Sequence, residues 1–474
     1  MAGRARQTAD LMLRRSLRIL DERTGATALL PKALRYVFPD NWSFLLGEVV
    51  LYSFVILVAT GIYLTLFFEP SLATTTYDGS YAPLRGLLVS HAYDSVMRLS
   101  FDVKAGLLIR QTHHWAADVF LVTMVLHLMR VFFTGAFRRP RTLTWTLGVA
   151  MLFAALLEGF LGYSLVDDLL SGMGLAIGYG VALSVPVIGG NLALGLWGSP
   201  FPGDPSFESR MYIAHILLIP GLIAVLLGAH LALVMTHHHT QFRRTPRQTE
   251  RRLVGLAMFP AQAARSIGLL LATAAMLFAL GGLVQVNPIW QWGPFQLAQG
   301  TNGAQPDWYL GWLIGALRLM PGFDVTLGSY TLIANPFWGG ILFPSVVMGA
   351  MFAWPRIERR LSGDRETHNL LDRPRAAPAR TAFGAAFFAW VALIFIAGSA
   401  DRTYVFLGAS YTDQIWLYRG LVWVLPLAVF VVVRRVCREL QGSDRVRETR
   451  EQAEQEAREH DGERARDPTA TIVS

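Results

Sequence analysis

A single cysteine, Cys437, is present among 474 residues. That excludes an intramolecular disulfide and any cluster of thiolate ligands, so a bound metal must be held by histidine or carboxylate. Charge is nearly as scarce. Asp, Glu, Lys and Arg together make up 16% of the chain, against 53% hydrophobic residues, a balance foreign to a soluble protein of this length. The chain reads as an all-α polytopic membrane protein. Its formal charge of +8 would suit nucleic acid, but the arginines sit in short segments between apolar runs, where topology signals belong, so no nucleic-acid partner is expected. The opening residues, MAGRARQTADLMLRRSLRIL, lack an apolar stretch followed by a small-residue cleavage site and read as a basic cytoplasmic segment.

Apolar runs of about 20 residues, the length that crosses a bilayer, occur near 42–68, 113–134, 143–164, 211–237, 266–285, 336–354, 381–398 and 417–436. Eight transmembrane helices are predicted. Arginine gathers in the N-terminal segment, between the second and third spans (Arg138, Arg139, Arg141) and between the fourth and fifth (Arg243, Arg244, Arg247, Arg251, Arg252). It gathers again between the sixth and seventh (Arg356, Arg359, Arg360, Arg373, Arg375) and in the tail. All of these fall on one side of an eight-span arrangement, which places both termini in the cytoplasm. The connections 69–112, 165–210, 286–335 and 399–416 then face outside. The expected organisation is a basic cytoplasmic segment over 1–40, a four-helix bundle over 41–240, a four-helix half over 241–437, and a charged cytoplasmic tail over 438–474 that is either a solvated helix or disordered.

Histidine is sparse but ordered. His113 and His127 lie 14 residues apart on the second span; at 100° and 1.5 Å per residue they share one helix face, about 21 Å apart along the axis. His215 and His230, 15 apart on the fourth span, fall within roughly 60° of each other. The two spans run the same way across the membrane, so His113 and His215 share the outer level, and His127 and His230 the inner. Two imidazole pairs at two depths make two six-coordinate sites. The group that takes two axial imidazoles across a helix bundle is haem, and without a CxxCH motif it is non-covalent b-type haem. A macrocycle needs neighbours without side chains at its level. The first span offers Gly47 and Gly61 and the third Gly148 and Gly162, again 14 apart, with Gly47 and Gly148 at the inner level and Gly61 and Gly162 at the outer. His114, turned 100° from His113, is expected at the outer surface or in a helper role.

With these pairs in view, the segments NWSFLLGE, HLMRVFFTGAFRRPR, EGFLGYS, VNPIW and HNLLDRPR, together with PDWY at 306–309, resemble cytochrome b of the respiratory cytochrome bc complexes, in its actinobacterial form. The resemblance runs from about residue 37 to 436. It implies a quinol–cytochrome c reductase subunit of the plasma membrane, with menaquinol as substrate, a Rieske iron–sulfur subunit and a c-type cytochrome as partners, a homodimeric complex and possible attachment to a terminal oxidase. In PDWY, Pro306 restricts the backbone ahead of an acid and two aromatics, setting a carboxylate beside a flat apolar slot. Asp307 holds the place of the family's usual Glu as acceptor of a quinol proton, with Trp308 and Tyr309 lining the pocket. One electron then goes to the Rieske partner. The other passes by the outer haem to the inner one and on to quinone near the cytoplasmic face, so that charge is translocated.

The same resemblance marks His239, in the run HHHTQF, as a histidine of the inner quinone site. It expects an acid after the proline that begins the fifth span, where this chain has Arg265 and Ser266. Arg110 and Arg130, and with a weaker claim Arg210, are cations placed to meet haem propionates. Glu158 belongs to the matching segments and is a candidate proton relay; Asp118 matches none of them, and either pairs with His114 or faces a polar cleft. Val166 stands where relatives of this branch more often have proline. Two competing readings remain: a two-haem membrane anchor of another dehydrogenase, against which PDWY and the four extra spans argue, and a divergent non-catalytic paralogue.

Overall fold

Within a bilayer the backbone has no water to bond, so a chain this apolar must satisfy its N–H and C=O groups inside each crossing segment. The computed structural model describes residues 36–243, 245, 247–298 and 307–466, with side chains as far as Ser443. Pro306, Arg244 and the basic segment up to residue 35 lie outside the described residues. Among the described residues, eight helices are long and apolar enough to span: α1 (Trp42–Thr65), α2 (Gly106–Phe133), α3 (Thr142–Ser164), α4 (Phe207–His237), α5 (Met258–Leu283), α6 (Trp338–Ser362), α7 (Pro378–Ala397) and α8 (Tyr411–Ser443). The helix of α8 continues to Arg466, so the described part of the charged tail is helical.

α2 begins seven residues earlier than its apolar run suggests. Arg110 and Gln111 precede that run, yet both are buried. The Gln111 amide exchanges two hydrogen bonds with the backbone of Val286, at 2.9 and 2.7 Å, and the Trp115 indole donates to the Val284 carbonyl at 2.8 Å. The polar start of α2 is thus sealed by the end of α5.

α4 is not uniformly α-helical. Ala214–Leu218 form a π turn between Phe207–Ile213 and Ile219–His237. Pro220 follows it, and a proline supplies no N–H to the carbonyl four residues back, so a wider turn just before it costs little. The extra residue in that turn corrects the angular offset expected of His215 and His230: a spacing of 15 residues with one π turn projects much as 14 do in a regular helix.

α1 packs along α2, α5 lies against both, and α3 packs on α4; α7 and α8 form a second pair, with the short helix Gly311–Leu319 against α7. Between the two histidine levels sits a buried apolar layer of Phe120, Leu121, Met124, Leu152 and Ala155, joined by Tyr309 and Leu310 from the connection before α6. Short antiparallel pairings, Thr74–Thr76 with Leu88–Ser90 and Val325–Leu327 with Tyr330–Ile333, tie down the long connections. Val166 packs against the cluster of Tyr77, Tyr93 and Ile289 in this region. Next to it Asp167 holds a positive φ of 53°, and Asp168 caps Leu169–Leu183 through a reciprocal pair of hydrogen bonds with Ser171.

Two predictions follow from this packing. At Gly281 a Cβ would lie 2.4 Å from Thr112 Oγ1 and 2.8 Å from the Thr112 backbone nitrogen, so Gly281→Val should cost about 1–3 kcal/mol of stability, seen as a lower melting temperature of the detergent-solubilised protein. Burial raises the Asp167 carboxyl to about 7, with Asp168 pushing the same way and a hydrogen bond from Ser90 opposing. A carboxyl that binds its proton more tightly when folded stabilises below its unfolded value near 4, and that stability is lost as pH rises through about 7. Asp167→Asn should flatten the fall in melting temperature between pH 5 and 8.

Candidate functional site

The His113–His215 pair is assembled from α2 and the π turn of α4. The ring centres of His113 and His215 stand 6.3 Å apart with planes at 78°. Two imidazoles gripping one ion at about 2 Å through nitrogen, each ring centre about 1 Å farther back, would have centres about 6 Å apart. The ring nitrogens are oriented for it. The Thr60 hydroxyl donates to the Ile56 carbonyl at 2.7 Å, so its oxygen accepts from His113 Nδ1–H at 2.9 Å. Glu158 Oε1 lies 2.8 Å from His215 Nδ1. The Thr60 contact favours the proton on His113 Nδ1, leaving Nε2 with its lone pair free, and the carboxylate beside His215 favours the same tautomer there, an arrangement typical of metal-bound histidine.

Each histidine is matched by one glycine across a helix boundary. A Cβ at Gly61 would lie 3.4 Å from His113 Cε1, at Gly162 2.4 Å from His215 Cε1, at Gly47 3.3 Å from His127 Cε1 and at Gly148 3.8 Å from His230 Cε1. The four pairs keep the levels expected from spacing: 61 and 162 with the His113 end, 47 and 148 with the His127 end.

His127, His230, Gly47 and Gly148 all line one cavity of about 1150 Å³. It runs past the histidines to the end of the bundle, where His238 and His239 border it and His237 does not. His239 Nδ1 is 3.0 Å from the Tyr36 hydroxyl. Burial, reinforced by Arg130 and Arg141, lowers His239 to about 4, and burial pushes Tyr36 up to about 12; at neutral pH both are uncharged hydrogen-bonding groups. Sequence reasoning brought Arg265 and Ser266 to this wall but missed its other polar groups. The Gln262 amide donates to Glu48 at 2.9 Å, the Tyr52 hydroxyl donates to the same carboxylate at 3.1 Å, and Arg265 pairs with Asp40 at 2.8 Å. The only signal available was Glu48 itself, an acid inside an apolar run.

Several buried polar atoms have no hydrogen-bond partner among the described residues: Arg110 Nε, Arg130 Nε and Nη2, and His127 Nδ1. Arg130 stacks its guanidinium 3.9 Å over the Phe44 ring, and Arg110 reaches only the Asn287 carbonyl, at 3.3 Å. Buried guanidiniums with unspent donors fit an anionic group held beside each histidine pair. Arg210 instead meets Asp204 of its own connection, at 3.4 Å. Imidazole pairs, glycine clearances and unspent donors together fit a flat, anionic, metal-bearing macrocycle at each level.

A second cavity, of about 300 Å³, opens beside the His113 level, lined by Asp307, Trp308, Tyr163 and Phe395 among others. Asp307 Oδ2 lies 2.8 Å from His114 Nε2. His114 is therefore not at the protein surface; it is half-buried against the connection between α5 and α6, because its 100° turn away from His113 points it there. Tyr309 is buried, and a Cβ at Gly159 would lie 2.9 Å from its ring and hydroxyl. Trp308 stands between cavity and core, donating its indole N–H to Asp118 Oδ1 at 2.7 Å.

Eight spans with imidazole pairs stacked at two depths and a carboxylate pocket next to one pair are the layout of a polytopic membrane cytochrome. A family model described as "Cytochrome b(N-terminal)/b6/petB" matches residues 118–294. The cytochrome b subunit of the cytochrome bc1 complex of Streptomyces coelicolor is 44% identical over 425 residues, covering 90% of this chain and 77% of that protein. That of Corynebacterium diphtheriae is 45% identical over 427 residues (90% and 78%), and that of Mycobacterium tuberculosis strain H37Rv 44% over 439 residues (92% and 78%). A solved structure titled "Hyperthermophilic respiratory Complex III" shares the fold, with a TM-score of 0.64 at 17% identity over 89% of this chain and 99% of the other. The chain belongs to the family of cytochrome b subunits of the cytochrome bc1 complex. It is accordingly a multi-pass protein of the bacterial plasma membrane, a subunit of an oxidoreductase complex in a haem b family.

Clearance yields a test specific to level. Gly162→Val should remove haem held at the His113–His215 level and leave the other level loaded, whereas Gly148→Val should do the reverse. Haem content, with low-temperature difference spectra resolving the two levels, is the measurement.

Proposed function

We propose that this chain oxidises quinol at the pocket of Asp307 and reduces quinone in the large cavity beside His239, with two b haems held by His113 and His215 and by His127 and His230. The observation that carries this reading is the contact of Asp307 with His114, which puts a candidate proton acceptor one residue from a candidate haem ligand. The arginine-rich connections orient the chain, with the His113 level outside and the His127 level and both termini towards the cytoplasm. Residues 41–240 form the haem-binding bundle and 241–437 the half that supplies the quinol pocket. Bound haem at the two levels supplies one-electron carriers spanning most of the membrane thickness.

At the outer pocket, Asp307 accepts a proton from the quinol hydroxyl, and His114 beside it holds the carboxylate in place. Trp308 and Phe395 form apolar walls for a flat ring, and the neighbouring phenol of Tyr309 is kept protonated by burial. One electron leaves to a Rieske iron–sulfur subunit, which passes it to a c-type cytochrome subunit, and the other travels inward. At the inner cavity, the uncharged His239, held through Nδ1 by the Tyr36 hydroxyl, offers a hydrogen bond to quinone, while Arg110 and Arg130 hold haem propionates at their respective levels. Release of protons outside and uptake inside couples the reaction to charge translocation. Menaquinone as the quinone, and a homodimeric complex joined to a terminal oxidase, rest on likeness to the actinobacterial branch.

The purified complex should show two b haems per chain in reduced-minus-oxidised spectra and haem assay; fewer than two would defeat the proposal. Asp307→Ala should lower quinol-dependent cytochrome c reduction at least tenfold, in line with the loss of a general base, while both haems remain. An unchanged rate would remove Asp307 from the outer site.

A further inference from the structure

Asp118 is the residue that neither haem level nor either quinone pocket has used. It interrupts an apolar run, AADVFLV, and is buried at 7% exposure. A carboxylate at that depth is costly unless a donor satisfies it. Its donor is the Trp308 indole N–H, 2.7 Å from Oδ1.

Residues four apart on a helix share a face, so His114 and Asp118 of α2 present two polar groups in one direction, a turn apart. They meet two consecutive residues of the connection before α6: His114 Nε2 lies 2.8 Å from Asp307 Oδ2, and Asp118 takes Trp308. One ligand-type atom from each of His114, Asp118 and Asp307 lies within 4.8 Å of the others. Asp307 itself makes no side-chain cap on the turn Trp308–Leu310 that follows it. The ring of Trp308 meets those of Phe395 and Tyr309 edge to face, with centres 6.4 and 6.0 Å away, geometry less directional than the 2.7 Å hydrogen bond to Asp118 in setting its rotation.

We infer that Asp118 is a positioning residue for quinol oxidation: by accepting the Trp308 N–H it sets the indole wall of the pocket and hence the clearance beside Asp307. The inference rests on the outer-site reading given above. The hydrogen bond, and not the charge of Asp118, is what the role requires, because only an acceptor oxygen at that position meets the indole donor.

The test uses the intact complex purified from membranes, a soluble naphthoquinol as substrate, and haem content as a check on assembly. Asp118→Ala should raise KM at least fivefold with kcat changed less than twofold, and Asp118→Asn, which keeps an acceptor oxygen, should stay within twofold of the parent in both. Trp308→Phe, which removes the donor, should reproduce the effect of Asp118→Ala. The double variant should be no worse than either single one, as expected of two residues acting through one contact. The inference is overturned if Asp118→Asn is as impaired as Asp118→Ala, or if the two single effects multiply. Should Asp118→Ala fail to assemble, Trp308→Phe decides, an unchanged KM counting against the anchor. Asp307→Asn is measured alongside. If it has no effect the outer-site reading fails, whereas if it is severely impaired and Asp118→Ala is silent, only the role of Asp118 fails.

Discussion

Everything in the first four spans answers to one steric requirement: an imidazole must stand between helices where an ordinary side chain would stand. Each of His113, His127, His215 and His230 faces a glycine on a neighbouring helix, and a single Cβ at Gly162 would fall 2.4 Å from the His215 ring. Glycine is usually unfavourable in a helix interior, but at Gly162 its missing atom is the space the ring occupies, whereas a Cβ would lie tightly against the ring at Gly47 and in ordinary contact at Gly61 and Gly148. Around this requirement the bundle supplies orientation. Thr60 and Glu158 hold Nδ1 of His113 and His215, so that each ring offers Nε2. The π turn of α4 rotates His215 into line with His230.

Between the two levels lies the layer of Phe120, Leu121 and Met124, which carries no charge and separates two chemically different ends. At the His113 end the groups are acids and an imidazole drawn from distant parts of the chain, gathered at a small cavity. At the His127 end the cavity is much larger and its wall mixes the uncharged imidazole of His239, backed by the Tyr36 hydroxyl, with the paired charges of Arg265 and Asp40. Tyr309 belongs to the apolar layer and does not line the smaller cavity, but its neighbours Asp307 and Trp308 do, so the packing of the bundle core anchors the segment that carries the site where substrate chemistry is proposed.

The candidate sites were only partly legible beforehand. The histidines and glycines were, since their spacing converts directly into depth and direction on a helix. The inner wall was not. Glu48 and Gln262 are 214 residues apart, and nothing in either neighbourhood announces the other. The expected acid after the proline of the fifth span is Arg265 in this chain; two carboxylates do border the cavity, Glu48 of α1 and Asp40 just before it, and neither comes from α5. Sequence leaves His114 between the outer surface and a helper role, because its direction is readable and its neighbour is not.

Sequence alone determined the eight spans, their distribution of arginine, and the two depths at which histidine and glycine recur, because helical rise and rotation are local quantities set by the backbone. Tertiary structure decided which groups meet across the chain: His114 with Asp307, Asp118 with Trp308, Tyr36 with His239, and Gln262 with Glu48. These contacts join residues about 190 to 214 positions apart. At such separations no periodicity relates one side chain to another, and only the packing of one helix against the next selects the partner.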